Sequence, residues 1–491
     1  MNMDRYIIIA GLLFIALVLS FFMPIYYAFA IISGLILVAV LIGSPRTVVF
    51  LYMMIILIHP LLYGNIQHPL IKHTNKVVGL ALFTVWFGQV AFRRIAVEKR
   101  DLFTKLAVSM SIYVVFVWFL NRGPIRAFAQ AVLVYFSFIP LFLVGREFLR
   151  KEDFFIFLKA GIGTLWVGFI LNMGWRFGVN PMANFHHSTG NLTDSWIGIF
   201  ELCNIYAYFC SIFFILIMAV LSAPDLRLSR GLRRSLYLSL PILLFELYFT
   251  YTNHAYAILA VALIPFLSIT GLWKRWYVIT IVLLIAVVVF VTYSSSEQLQ
   301  LQFNTENLTY RTERLYYSAK MQLYNKVFVQ NLNDRPMEWV FGVGPGNGVG
   351  VLGKDNLTDY ALRMLLGFYQ RDSVHLREMQ MTSISGLTDA GYVTLWGDYG
   401  MLGTPIYLGI YAWLFINCVR VFRDKKLDPI RCVIAQFLIG AITYIFLLNF
   451  LIDTFVRPVW AVIIWGMGAL LFGTKASEPS LTNDVECDDE G

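Results

Sequence analysis

Between Tyr6 and Phe472 the chain is divided, again and again, into apolar runs of roughly 17 to 25 residues, each long enough to cross about 30 Å of hydrocarbon as a helix. That repetition leaves few folds open. About fourteen such runs begin, near residues 6, 25, 47, 76, 103, 127, 154, 197, 236, 254, 276, 391, 429 and 456. A soluble domain carries about a quarter charged residues; here 58% of the residues are hydrophobic and 14% charged, with mean hydropathy +0.69. The expected fold class is therefore an all-α polytopic integral membrane protein.

Charge gives the expected orientation. Basic clusters stand at Arg93, Arg94, Lys99 and Arg100, at Arg146, Arg150 and Lys151, at Arg227 to Arg234, at Lys274 and Arg275, and at Arg420 to Lys426. With fourteen spans all of them fall on one side, which the positive-inside rule makes cytoplasmic, together with both termini. The net charge of +8 is then accounted for by topology and anionic headgroups, without a nucleic-acid partner. The first apolar run lacks a small-residue cleavage site and reads as a span.

The expected organisation is a bundle of about eleven spans over residues 1–293, with a shorter outer loop at 174–196, then a large outer loop at 294–390. Three further spans fill 391–473, and an acidic, apolar-poor tail occupies 474–491. Inside the large loop, Tyr310 to Val329 places Tyr316, Ala319, Leu323 and Val327 on one helical stripe, and Tyr360 to Arg371 reads as a second helix. The loop contains no cysteine, so no disulfide framework is available to it.

Within the large loop, Phe341 to Gly350 reads FGVGPGNGVG. GVGVLGK, from Gly348 to Lys354, has the spacing of a nucleotide phosphate loop, but Asp355 stands where such a loop needs Ser or Thr and no strand precedes it. A tight turn that admits close backbone approach is the better reading; a backbone nest for an anion is the other. Arg311, Arg314, Arg363, Arg371 and Arg377 lie in the same loop, and Arg176 at the entrance to the shorter one. Guanidinium groups hold diphosphate oxygens in bidentate fashion and remain charged at all accessible pH; for each arginine taken singly the alternative is an ordinary surface ion pair. Asp389 precedes a span, where it serves as a helix cap or as a base toward a hydroxyl. His186, His187 and His375 are outer-loop candidates for base or sugar contacts, with no third ligand at a metal-binding spacing. His254, Glu201 and Glu246 are ionisable groups at membrane boundaries, functional candidates that can equally hydrogen-bond a neighbouring helix.

Taken in order, FHHSTGNLTDSWIGIF, TYTNHAYAILA, the helix opened by Arg311 and Arg314, FGVGPGN and TDAGYVTLWGDYGMLG resemble the O-antigen ligase and O-antigen polymerase superfamily. The pieces are scattered over roughly residues 170 to 410. Where the ligase pattern has a histidine this sequence has Thr388 and Asp389, the form of the polymerase branch; where the family has Ser-Arg-Gly it has Asn253 and His254. The resemblance implies a glycosyltransferase without metal or cofactor, taking an undecaprenyl-diphosphate-linked glycan on the outer face of a bacterial inner membrane. It implies Asp389 and Arg311 as catalytic residues and Arg314, Arg176, His254, His187, Asn191, Gly344 and Asn347 as substrate contacts. The partners it implies are lipid-linked donor and acceptor, with a chain-length regulator and a flippase as further candidates. Alternatives are a ligase acting on a lipid A core and a lipid-linked oligosaccharide transporter; transporters place their binding groups near the midplane on broken helices.

Overall fold

A computed structural model describes residues 45–66, 74–91, 101–121, 125–176, 203–250, 252–271, 324–345, 391–424, 428–451 and 458–473. Among them all regular structure is helical. The apolar runs become α1 (Pro45–Ile66), α2 (Thr74–Ala91), α3 (Leu102–Asn121), α4 (Ile125–Tyr135), α5 (Phe138–Phe148), α6 (Asp153–Arg176), α7 (Cys203–Leu221), α8 (Arg230–Phe249) and α9 (Asn253–Thr270). A π-helical stretch at Lys326–Gln330 and the short α10 (Asn331–Asp334) and α11 (Pro336–Phe341) follow, then α12 (Gly391–Arg423), α13 (Pro429–Leu448) and α14 (Pro458–Leu471).

By length and composition, Leu102–Asn121, Ala131–Phe148, Asp153–Gly174, Asn204–Leu221, Gly391–Arg423 and Pro429–Leu448 are long and apolar enough to cross a membrane. The chain is thus a helical membrane protein. The runs expected near residues 6, 25 and 276, and the helix at 360–371, lie outside the described residues. The run near 127 is not one regular helix: the chain bends at Phe136 and Ser137 between α4 and α5. There the Tyr52 hydroxyl donates to the Ser137 hydroxyl at 2.7 Å, so a neighbouring helix supplies polar company at the bend.

Polar contacts show which helix ends meet. Arg46, opening α1, donates through Nε to Asp153, opening α6, at 3.0 Å. Arg146 of α5 pairs with Asp101, just before α3, at 3.2 Å. Lys151 pairs with Asp428, the N-cap of α13, at 3.1 Å, and Arg431 donates to the Gly473 carbonyl beyond α14 at 3.0 Å. At the opposite end, the Tyr444 hydroxyl late in α13 donates to the Ala255 carbonyl early in α9 at 3.4 Å, and the Tyr392 amide to the Asn449 carbonyl at 3.4 Å. The helices therefore alternate in direction, and Arg146, Arg150, Lys151, Arg420 and Arg423 share one end.

The core between them is aromatic. Phe138 stacks on Trp465 at 4.9 Å and Phe103 lies 4.4 Å from Phe142, ring to ring; Trp460 and Trp465 are among the largest fully buried side chains. In hydrocarbon such contacts hold helices together by packing, since lipid tails are as apolar as the side chains they replace.

Candidate functional site

α12 is broken. At Gly400 the backbone has φ 61° and ψ −169°, outside any helix, so Gly391 to Tyr399 and Met401 to Arg423 are two half-helices. The second is roughly 35 Å long at 1.5 Å per residue, and the candidate span runs through both, Gly391–Arg423. A break frees carbonyls that a helix would have bonded, and at membrane depth they need partners.

The glycine run supplies them. α11 closes with the Gly342 amide donating to the Glu338 carbonyl at 2.8 Å. The next amides turn to the break: Val343 donates to the Gly397 carbonyl at 2.9 Å and Gly344 to the Asp398 carbonyl at 3.0 Å. The Tyr113 hydroxyl of α3 contacts the carbonyls of Phe341 at 2.9 Å and Tyr399 at 2.8 Å, one from each segment. Asn121, at the end of α3, donates to the Gly342 carbonyl at 3.2 Å, and the Thr404 hydroxyl to the Leu395 carbonyl at 3.1 Å. Turn, break and α3 are thereby joined by main-chain groups.

Close approach explains the glycines. A Cβ on Gly342, whose φ is 75°, would lie 2.4 Å from the Asp398 oxygen and 2.6 Å from the Gly400 nitrogen. Over its described part, Phe341 to Pro345, the glycine run makes the close backbone approach expected of it, and what approaches is GDYG. The amides of Gly342, Val343 and Gly344 are all donated to the chain's own carbonyls, which leaves those three without a proton for an anion nest.

Of the other expected site residues, His254 sits partly buried in the first turn of α9, its ring nitrogen hydrogen-bonded to the Tyr208 hydroxyl. The Tyr208 ring lies 6.4 Å from that of Trp460. Arg176 ends α6, at the same end of the bundle as His254 and the turn. Asp389 stands two residues before α12. It lies outside the described residues, as do Arg311, Arg314, His187, Asn191 and Asn347. The Asn172 amide donates to the Glu246 carboxylate at 2.7 Å, with Glu246 fully buried; an interhelical hydrogen bond is thus its observed role. Glu201 lies outside the described residues.

Three residues of this region went unsingled in the sequence. Asp398, 1% exposed, is an acid inside a span, and that signal was legible. Tyr113 and Asn121 carry no such mark, because only their distant partners make them notable. At the flank of the break the Tyr324 hydroxyl donates to the Phe450 carbonyl at 2.9 Å. Among the described residues no three of His, Cys, Asp and Glu converge to ligate a metal. Compared with protein-family models and with curated proteins, the chain matches neither.

Proposed function

We propose that the protein polymerises undecaprenyl-diphosphate-linked oligosaccharide repeats of a bacterial surface polysaccharide, on the outer face of the inner membrane. One observation supports this reading: the two segments that carry the resemblance to the O-antigen ligase and polymerase superfamily most strongly, FGVGPGN and GDYGMLG, are joined by backbone hydrogen bonds at one end of the bundle, while Thr388 and Asp389 favour the polymerase branch. That end is opposite the basic helix ends, which the positive-inside rule assigns to the cytoplasm. The junction lies a few residues along α12 from Asp389.

In this scheme the lipid diphosphate of the donor is held by Arg311 and Arg314, with Arg176 and His254 at the same end. A hydroxyl of the second lipid-linked repeat attacks the donor's anomeric carbon as the bond to the diphosphate oxygen breaks. Asp389 takes the hydroxyl proton, and the arginines stabilise charge growing on the leaving diphosphate. Direct displacement inverts the anomeric centre. The scheme draws on neither nucleotide nor metal.

The test is incubation of the purified full-length protein with one lipid-linked repeat. Chain extension is expected, with Asp389→Ala lowering the rate about 10²- to 10⁴-fold and Arg311→Ala about 10²- to 10³-fold. Normal extension by both variants would remove these residues from the mechanism. Transfer to a lipid A core without extension would identify a ligase. The broken α12 and the interior Asn172–Glu246 bond also fit a transporter, and that reading predicts no new glycosidic bond in detergent.

A further inference from the structure

Residues 294–390 read as a single outer loop, yet the part described, 324–345, exposes large apolar side chains between the polar Asn325, Gln330 and Asn333. Val329 is 54% exposed, Leu332 45% and Met337 67%. α3 gauges the depth. Tyr113 and Asn121 bond the carbonyls of Phe341 and Gly342, and the Phe116 ring stands edge-on to Phe341 at 6.1 Å. The end of α11 therefore lies alongside Tyr113 and Phe116, one to two turns inside α3, and the turn after it reaches the final residue of that helix. The same helix exposes Ile112 by 66% and Phe119 by 75%, and a spanning helix has only lipid to offer such a face.

The backbone here meets the condition for irregular structure at membrane depth. Residues 342 to 345 are buried, and the amides of Gly342, Val343 and Gly344 are all bonded; non-helical chain is tolerated there only when protein covers it. Aromatic rings flank the segment, Phe328 at 4.9 Å and Trp339 at 5.2 Å from Trp396, as in the belts that mark membrane–water boundaries. The exposed charges Asp334 and Arg335 sit together at the bend between α10 and α11, where headgroups can reach them.

We propose that residues 324–345 form a re-entrant membrane element whose partner is the lipid leaflet itself: Val329, Leu332 and Met337 stand among acyl chains while Asp334 and Arg335 face the headgroups. The chain then emerges toward residue 346 from within the leaflet. Nothing in this placement depends on the proposed activity.

The experiment is depth-dependent quenching in vesicles. Met337→Cys, in full-length protein whose reactive native cysteines are replaced by alanine, carries an environment-sensitive fluorophore. The expected result is stronger quenching by lipids brominated on the acyl chain than by aqueous iodide, matching a probe at Phe119→Cys on α3. Stronger quenching by iodide overturns the proposal. Should the cysteine-depleted protein not fold, a benzophenone amino acid at position 337 of the native chain gives the same reading. Photoadducts with acyl chains are expected, and their absence, with adducts formed by the same group at position 119, overturns it.

Discussion

At Gly400 an added methyl group would arrive 2.4 Å from both the Gly342 nitrogen and the Val340 oxygen, on a backbone of φ 61° and ψ −169°. That region is essentially closed to other residues, at a cost of about 1–3 kcal/mol before any clash. Gly400→Ala and Gly342→Ala should each lower the unfolding midpoint in detergent by more than that strain alone predicts. Gly163, exposed on α6 with nothing within 4 Å of its would-be Cβ, is the contrast: alanine there should leave the midpoint unchanged or raise it, helix propensity favouring it by up to about 1 kcal/mol. Tyr113→Phe keeps the ring and deletes one hydroxyl shared by two carbonyls. A loss of about 1–3 kcal/mol is expected, with faster hydrogen exchange at the Val343 and Gly344 amides; unchanged exchange would mean that the turn holds without the tyrosine.

The ion pairs at the basic end differ in what their helices lose if broken. Asp153 is 1% exposed and also accepts from the Arg150 amide at 2.9 Å, so Asp153→Ala strands Arg46 and opens the start of α6; about 3 kcal/mol or more should disappear. Lys151 and Asp428 are 36% and 28% exposed, and Lys151→Ala should cost under about 1 kcal/mol. Thermal unfolding of both variants measures the difference. Most helices could be placed from sequence, because an apolar run of spanning length has one way to bury its backbone: those expected near 47, 76, 103, 154, 254, 391 and 429 begin at Pro45, Thr74, Leu102, Asp153, Asn253, Gly391 and Pro429. Interruptions were less legible. FGVGPGN announced a close approach, but its partner lies in another helix, and the Tyr113 contacts join residues 228 and 286 positions apart. Hydropathy averaged along a run does not register the break at Gly400 or the bend at Ser137, since both are made good by partners from elsewhere in the chain. Nor does it register the proposed leaflet contact of the described part of the large loop, because Val329, Leu332 and Met337 are scattered among polar residues on short helices and never form a run.

For the molecule as a whole, alternating helix directions put Arg150 and the turn before residue 346 at opposite ends of the bundle. Cysteines placed at Arg150 and Gly350 should therefore react with a membrane-impermeant reagent from opposite sides of sealed vesicles, Gly350 from outside in cells. Labelling of both from the same side would overturn the expected topology. The clasp between turn and broken helix has a further consequence. Val343 and Gly344 are pinned beside Gly397 and Asp398, and the chain returns to α12 at Gly391, six helical residues or about 9 Å away. Both gateposts of residues 346–390 thus stand on one half-helix. Closing so short a gap depends only weakly on the length of chain between the posts, each doubling adding about 0.6 kcal/mol. Loop closure alone therefore sets little limit on the number of residues between the posts, and the register of the bundle does not depend on that number.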